Sequence, residues 1–314
     1  MKKQPIIILS GPTASGKSAL ALFIAAEIDA VIINCDSKQI YREIPIITAQ
    51  PTEAEKQTVE HNLYGVISAA EDCSVARWIE LAIGAISAAR AKNKIPLLVG
   101  GTGLYIKYLT EGLPNIPDIE DDIRAKVRDR LAEIGSVQLH QELTKIDAEM
   151  AEKLKPNDGQ RIARAYEVIQ QTGKSLLWWQ QQKSQPFYSK ESFQTFFLAP
   201  DREKVYENCN KRFVTMVNDG VIDEIKALDS MSLDATLPAM KAHGVPEILS
   251  YLHGNMTLDD AIDQAQKNTR HYIKRQFTWF KHQMQDVIFL ENLAKEQLKT
   301  EMLANISRFL LTAK

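Results

Sequence analysis

Paired cysteines are missing from this chain. Its three, Cys35, Cys73 and Cys209, stand far apart, with no C-x-x-C pair and no metal-ligand spacing. That excludes a disulfide scaffold and a zinc ribbon, and it leads us to expect a reducing, cytoplasmic compartment. No apolar run is long enough to span a bilayer. After the basic start Met1-Lys2-Lys3-Gln4, the apolar stretch is only Ile6 to Leu9 before Gly11-Pro12. This is too short for the core of a signal peptide, so no membrane partner is expected. An excess of one charge is lacking too: 38 Lys and Arg stand against 40 Asp and Glu, a net charge of −2. Bulk-electrostatic binding of nucleic acid is thereby disfavoured, and any nucleic acid must be held by local basic groups. There is no internal repeat and no low-complexity tract. What is present is ordinary for a soluble protein: 314 residues, 45% hydrophobic and 25% charged, enough for one large or two modest domains.

The most specific feature is the stretch "ILSGPTASGKSALA", residues 9 to 22, which fits G-x-x-x-x-G-K-[ST] from Gly11 to Ser18. It follows the β-type run Ile6 to Leu9 and precedes a helical pattern, Ser18 to Ile28, the context that such a loop requires. Gly11 and Gly16 allow tight turns, so successive N–H groups can face one anion. The helix N-terminus adds partial positive charge, Lys17 reaches an outer phosphate, and Ser18 is placed to hold Mg²⁺. The loop binds a di- or triphosphate; by itself it does not say whose.

Four short apolar runs read as buried parallel strands: Ile6 to Leu9, Ala30 to Asn34, Ile95 to Val99 and Thr195 to Leu198. Helical patterns at Ser18–Ile28 and Val75–Asn93 lie between the first three, which is the alternation of an α/β fold. "GLPNIP", residues 112 to 117, breaks that rhythm. From Asp118 to about Lys183 only charged, amphipathic helical pattern appears, closing in "WWQQQKSQP". The expected organisation is an α/β core in two parts, 1–112 and 195–314, with a helical insertion over 113–194. Eleven Lys and Arg balance eleven Asp and Glu from Glu120 to Lys183, so the insertion is no bulk basic arm. From Pro200 the chain is again mostly helical.

Two further motifs follow strands. "DSKQIYR", Asp36 to Arg42, comes directly after the second strand, where ligands of α/β sheets bind. A carboxylate there can accept a proton from a nucleophile or organise Mg²⁺ through water, and it can equally cap a turn. "GGTGLY", Gly100 to Tyr105, follows the third strand; its glycines permit close backbone approach, and Thr102 offers a hydroxyl. Near the C-terminus, Lys267, Arg270, Lys274 and Lys281 fall in one stripe of a helix, with Tyr272, Ile273, Trp279 and Phe280 opposite. The stripe is either a phosphate-facing ridge or a solvated face. Trp178 and Trp179 could stack bases, although packing within the insertion is the commoner fate of such a pair.

Taken together, GPTASGKS, DSKQIYR, GGTGLY, "KRF" at 211–213 and "NTRHYIKRQFTWF" at 268–280 resemble the bacterial type of tRNA dimethylallyltransferases (tRNA isopentenyltransferases) nearly end to end. The resemblance implies a P-loop NTPase-like, nucleotide-kinase-like fold and transfer of a dimethylallyl group from its diphosphate to N6 of adenosine 37, beside the tRNA anticodon. It implies that Gly11, Pro12, Thr13, Ala14, Ser15, Gly16, Lys17 and Ser18 hold the diphosphate, with Mg²⁺ at Ser18. Asp36 would be the general base, Thr102 would touch the target nucleotide and Arg212 would steady the diphosphate. Asp36, Ser37, Lys38, Gln39, Arg124, Gln160, Arg161, Ile162, Ala163 and Arg164 match tRNA-contacting positions. The partners expected are the tRNA anticodon stem-loop and dimethylallyl diphosphate, and a monomer is expected.

The sequence also departs from the family. A Gly-Tyr pair is common where this chain reads "MKAHGVPE", with Val245 in the tyrosine's place. A common form "GLDIGTAKPT" stands where this chain has "EIPIITAQPT". The zinc finger of eukaryotic relatives is absent. Read without the resemblance, the residues also allow a P-loop small-molecule kinase with ATP in the loop, a prenyltransferase acting on free AMP, or a nucleotide switch.

Overall fold

The computed structural model describes residues 5–182 and 184–312; Lys183, where the sequence ends its helical segment, lies outside them. In chain order the elements are β1 (Ile6–Ser10), α1 (Lys17–Glu27), β2 (Ala30–Asn34), α2 (Pro45–Thr48), α3 (Glu53–Thr58), β3 (His61–Asn62), α4 (Val75–Ala91), β4 (Ile95–Gly100) and α5 (Gly103–Glu111). The helices α6 (Asp121–Ile146), α7 (Ala148–Glu152), α8 (Gly159–Thr172) and α9 (Leu176–Gln181) follow. The chain then returns through β5 (Phe193–Ala199), α10 (Arg202–Asn218), α11 (Val221–Ser230), α12 (Val245–Leu252), α13 (Leu258–Gln283), β6 (Val287–Glu291) and α14 (Lys295–Thr312).

One parallel sheet, in the order β3-β2-β4-β1-β5-β6, carries the larger of two compact units. Every residue of β1 and β2 is buried, because helices cover both faces of the sheet. On one face Leu20, Ile24 and Ala25 of α1 and Met302 and Ile306 of α14 pack against Ile7, Leu9, Ile32 and Leu97. α4 lies against β2 and β4, with Trp78 wholly buried.

The register decides where the site forms. Ser10 pairs with Gly100 and Asn34 with Val99, so β1, β2 and β4 end level. The loops that follow, Gly11–Gly16, Cys35–Ile44 and Gly101–Thr102, therefore leave the sheet side by side at its carboxyl edge, the usual ligand crevice of such sheets.

All four expected strands are present, and two were not expected. β3 is only two residues long and pairs with β2 alone. β6 pairs with β5 from Thr195↔Val287 to Ala199↔Glu291, the one strand in the otherwise mostly helical described chain after Pro200.

The smaller unit, Glu111–Phe187, is helical and has its own core of Val127, Leu139, Leu143, Ile162, Ala165 and Val168. α6 is broken at Gly135 (φ 77°, ψ 167°), a conformation that only glycine adopts without strain. The compact unit closes at Phe187, ahead of the Gln194 edge set by composition, because the chain from Tyr188 onward already belongs to the sheet unit.

Candidate active site

The loop between β1 and α1 is built to curl around an anion. Ala14 (φ 63°) and Gly16 (φ 89°) take the left-handed conformation on either side of Ser15, and such alternation turns successive N–H groups inward. Gly16 ends the loop at the N-terminus of α1. The Ser15 hydroxyl is buried without a hydrogen-bond partner, which is costly unless a ligand oxygen meets it. Lys17 donates to Pro12 O at 2.7 Å.

Gly11 and Pro12 are buried beneath the loop. Thr13, Ala14, Ser15, Gly16, Lys17 and Ser18 line a cavity of about 460 Å³. Asp36, Gln39 and Arg212 line the same cavity. Burial pushes the Lys17 amine down to about 8, opposed by the attraction of Asp36 and helped by the repulsion of Arg212. Burial likewise lowers Arg212, against smaller opposing pulls from Cys209 and Asp36. Two desolvated cations sharing one carboxylate are short of negative charge, which a diphosphate supplies.

Asp36 is held by its own neighbourhood. The buried Asn34 accepts from Asp36 N at 2.8 Å and donates to Asp36 O and Leu63 O, both at 3.0 Å. Asp36 Oδ1 accepts from Lys38 N at 2.9 Å, so the carboxylate does cap a turn, through one oxygen. The same carboxylate lines the polar cavity. Thr102 Oγ1 accepts from Ser37 N at 2.9 Å and is hydrogen-bonded to Tyr272. Burial, reinforced by Asp36, raises the Tyr272 phenol, so it stays protonated. Lys38 and Gln39 spend their side chains internally, Lys38 on Pro238 O (2.7 Å) and Gln39 on Thr48 O and Ala49 O.

A second cavity, of about 160 Å³, adjoins the first. The two share Thr13, Asp36, Thr48 and Arg212 as a common wall. Beyond that wall the lining is mainly apolar by area, with Ile47, Phe213, Met216 and Ala242, while Ser37, Lys38, His243, Thr269 and Tyr272 add polar groups.

The C-terminal motif packs into the site's framework in a way that its helical periodicity did not reveal. Gln276 of α13, 4% exposed, accepts from Thr13 N at 3.1 Å and donates to Gly101 O at 3.0 Å. A Cβ at Gly101 would lie 2.1 Å from Gln276 Nε2, and one at Gly103 would lie 2.1 Å from the Trp279 ring. These glycines therefore make room for the protein's own α13. Of the basic stripe, Lys267, Lys274 and Lys281 are exposed, whereas Arg270 turns inward to Asn210 Oδ1 at 2.9 Å.

In the helical unit, Gln160 and Arg161 are exposed and Arg164 is half-buried, while Ile162 and Ala163 lie in the core and offer no side chain to solvent. Arg124 is half-buried, and its Nε has no partner. Trp179 is anchored by a bond from its Nε1 to Thr172 Oγ1 at 3.0 Å; Trp178 is exposed, with Lys174 over its ring. Among the described residues no helix is long and apolar enough to cross a membrane, and no cluster of three or more His, Cys, Asp or Glu could hold a metal.

Residues 39–283 match the family model described as IPP transferase. A tRNA dimethylallyltransferase of Rhodospirillum rubrum is 43% identical over 307 residues, covering 98% of this chain and 94% of that protein. Another, from Rickettsia bellii, is 46% identical over 291 residues, covering 93% and 92%. Among solved structures, the full-length tRNA isopentenylpyrophosphate transferase of Bacillus halodurans has a TM-score of 0.73 at 31% identity, covering 99% of this chain and 98% of that one. A eukaryotic dimethylallyltransferase acting on tRNA has a TM-score of 0.82 at 25% identity, covering 99% of this chain and 80% of that one.

Proposed function

The chain belongs to the IPP transferase family, and from that premise we propose that it transfers a dimethylallyl group from dimethylallyl diphosphate to N6 of adenosine 37 in tRNA, releasing diphosphate. The observation that carries this reading is the shared wall of Thr13, Asp36, Thr48 and Arg212 between a phosphate-gripping cavity and an apolar one. An apolar compartment continuous with the phosphate grip suits a donor whose diphosphate carries an apolar tail. An allylic diphosphate fills both halves at once.

In this reading Lys17, Arg212 and the loop N–H groups neutralise the diphosphate as the allylic C–O bond breaks. The adenine amine forms the new C–N bond, and Asp36 takes the proton that the amine releases. Thr102 and Tyr272 steady the nucleotide beside Asp36. The Ser18 hydroxyl and the Asp36 carboxylate line the cavity that holds the diphosphate, a hard-oxygen pair that suits Mg²⁺. Bound there, Mg²⁺ would supply further charge neutralisation to the leaving group. The target base has to leave its stack, at an unstacking cost of a few kcal/mol. Contacts from the insertion, through Arg124, Gln160, Arg161 and Arg164, would offset that cost. The internal positions Ile162 and Ala163 would serve by holding that helix in shape. A tRNA substrate fits a cytoplasmic enzyme, and a monomer suffices for the reaction.

The test is direct. Purified protein is incubated with Mg²⁺, dimethylallyl diphosphate, ATP, AMP and unmodified tRNA, and the products are identified by mass. Prenylated tRNA with release of diphosphate is expected; consumption of ATP without tRNA, or prenylation of AMP alone, would overturn the assignment.

A further inference from the structure

The apolar compartment is closed by a fixed wall. Ile47, Phe213 and Met216, each 6% exposed, line it on the side away from the loop. Ile47 Cδ1 and Phe213 Cε2 converge over Gly244, where an added Cβ would meet them at 2.6 and 2.9 Å. No side chain fits between the three elements. Ile47 itself is anchored through its backbone. The Glu224 carboxylate accepts from Ile46 N at 2.7 Å and from Ile47 N at 2.9 Å, capping the short helix α2 from α11. That carboxylate is half-buried and spends its oxygens on the backbone of α2, which ties Ile47 to α11.

The compartment is about 160 Å³ and shares Thr13, Asp36, Thr48 and Arg212 with the diphosphate cavity.

We propose that Ile47, backed by Phe213 and Met216, is the chain-length stop of the donor site: it admits one five-carbon allylic unit and excludes a ten-carbon allylic diphosphate by steric overlap. The proposal rests on the prenyl-transfer reading and deepens it by naming what selects the donor. Selection of this kind suits a packed apolar wall. Such a wall discriminates weakly between donors that fit but rejects groups that would force its side chains off their rotamers.

The experiment compares dimethylallyl diphosphate with geranyl diphosphate as donors to the same unmodified tRNA. It uses wild type, Ile47→Val, Ile47→Ala and, as an independent variant on another helix, Met216→Ala. Wild type should use the five-carbon donor and transfer almost nothing from the ten-carbon one. The ratio of kcat/KM for geranyl over dimethylallyl diphosphate should rise about tenfold or more in Ile47→Ala and Met216→Ala, and less in Ile47→Val. The absolute rate with geranyl diphosphate should rise as well, a gain that misfolding cannot produce. An unchanged ratio in variants that still transfer the five-carbon group overturns the proposal. So does a rise in KM for tRNA with the donor ratio fixed, which would make this wall the adenine slot. If wild type transfers neither donor, the prenyl-transfer reading itself has failed, a result distinct from either of these.

Discussion

Gln276 and Thr13 are joined across 263 residues of chain: the Gln276 side-chain oxygen accepts from the Thr13 backbone N–H at 3.1 Å. The amide's other end donates to Gly101 O at 3.0 Å, so one buried side chain ties the phosphate loop to the loop after β4. Replacing it by Leu keeps the volume but orphans a buried donor and a buried acceptor, each worth about 1–3 kcal/mol. Gln276→Leu should therefore unfold at lower denaturant, by roughly 2 kcal/mol or more, and bind pyrophosphate more weakly because Thr13 is no longer held. Gln276→Glu should keep the bond to Thr13 and lose only the one to Gly101. Equal stability of wild type and Gln276→Leu in urea unfolding would remove this bridge from the account.

Lys17 provides a pH signature. Its amine is held at about 8 in the unliganded protein, chiefly by burial, while the ordinary value is 10.5. Pyrophosphate is gripped by the charged form, so affinity should be level below pH 8 and weaken above it, by up to about tenfold per pH unit. Binding at pH 9 should take up a proton, visible as a buffer-dependent enthalpy in calorimetry. The effect on stability has the opposite sign. Between pH 8 and 10.5 the unfolded chain holds the extra proton, so raising the pH through that window favours the folded state. Lys17→Ala should lose affinity and flatten both dependences; pH-independent pyrophosphate binding by wild type between 7 and 9.5 would contradict the assignment.

Much of this was legible in the sequence, for identifiable reasons. β1, β2 and β4 are covered on both faces, so their runs are uniformly apolar and stand out from the chain. β6 is an edge strand with exposed Phe289 and Glu291, and its short "VIFLE" run between polar flanks resembles many loops. Gln276 was invisible because periodicity marks apolar faces, and a buried glutamine bonded to two backbone groups leaves no trace in it. The glycines after β4 permit close approach, and Gly101 and Gly103 give that room to Gln276 and Trp279. Asp36 posed a choice between turn cap and base; one carboxylate oxygen caps the turn, which leaves the other for the proposed role of base.

That division of labour sharpens the test of Asp36. Asparagine keeps an oxygen to accept from Lys38 N, so Asp36→Asn should fold with nearly wild-type stability. It has no basic oxygen for the adenine proton, and removal of a general base typically lowers the rate by about 10²–10⁴-fold. Single-turnover transfer at saturating tRNA and diphosphate should fall within that range, with tRNA affinity within a few-fold. Rescue by high Mg²⁺ would assign Asp36 to the metal instead. A rate within threefold of wild type would remove it from the mechanism.

Arg161 and Arg164 are the clearest candidates in the helical unit for holding RNA phosphates. Arg161 makes a long pair with Asp158 at 3.5 Å and leaves 74% of its side chain exposed. Arg164 pairs with Glu167 at 3.4 Å and is 41% exposed. Surface pairs of this kind are worth at most about 1 kcal/mol, so an RNA phosphate can take either guanidinium. Each phosphate contact contributes about 0.7–0.9 to the slope of log affinity against log salt. The double variant Arg161→Gln/Arg164→Gln should therefore bind tRNA more weakly and flatten that slope by roughly 1.5, while pyrophosphate affinity stays the same. Loss of Arg164 also leaves Glu167, 10% exposed, without its ion-pair partner, so some stability should be lost as well. Arg161→Gln alone carries no such burden: it should flatten the slope by just under one with the melting temperature unchanged. Equal salt slopes for wild type and both variants would make these arginines purely structural.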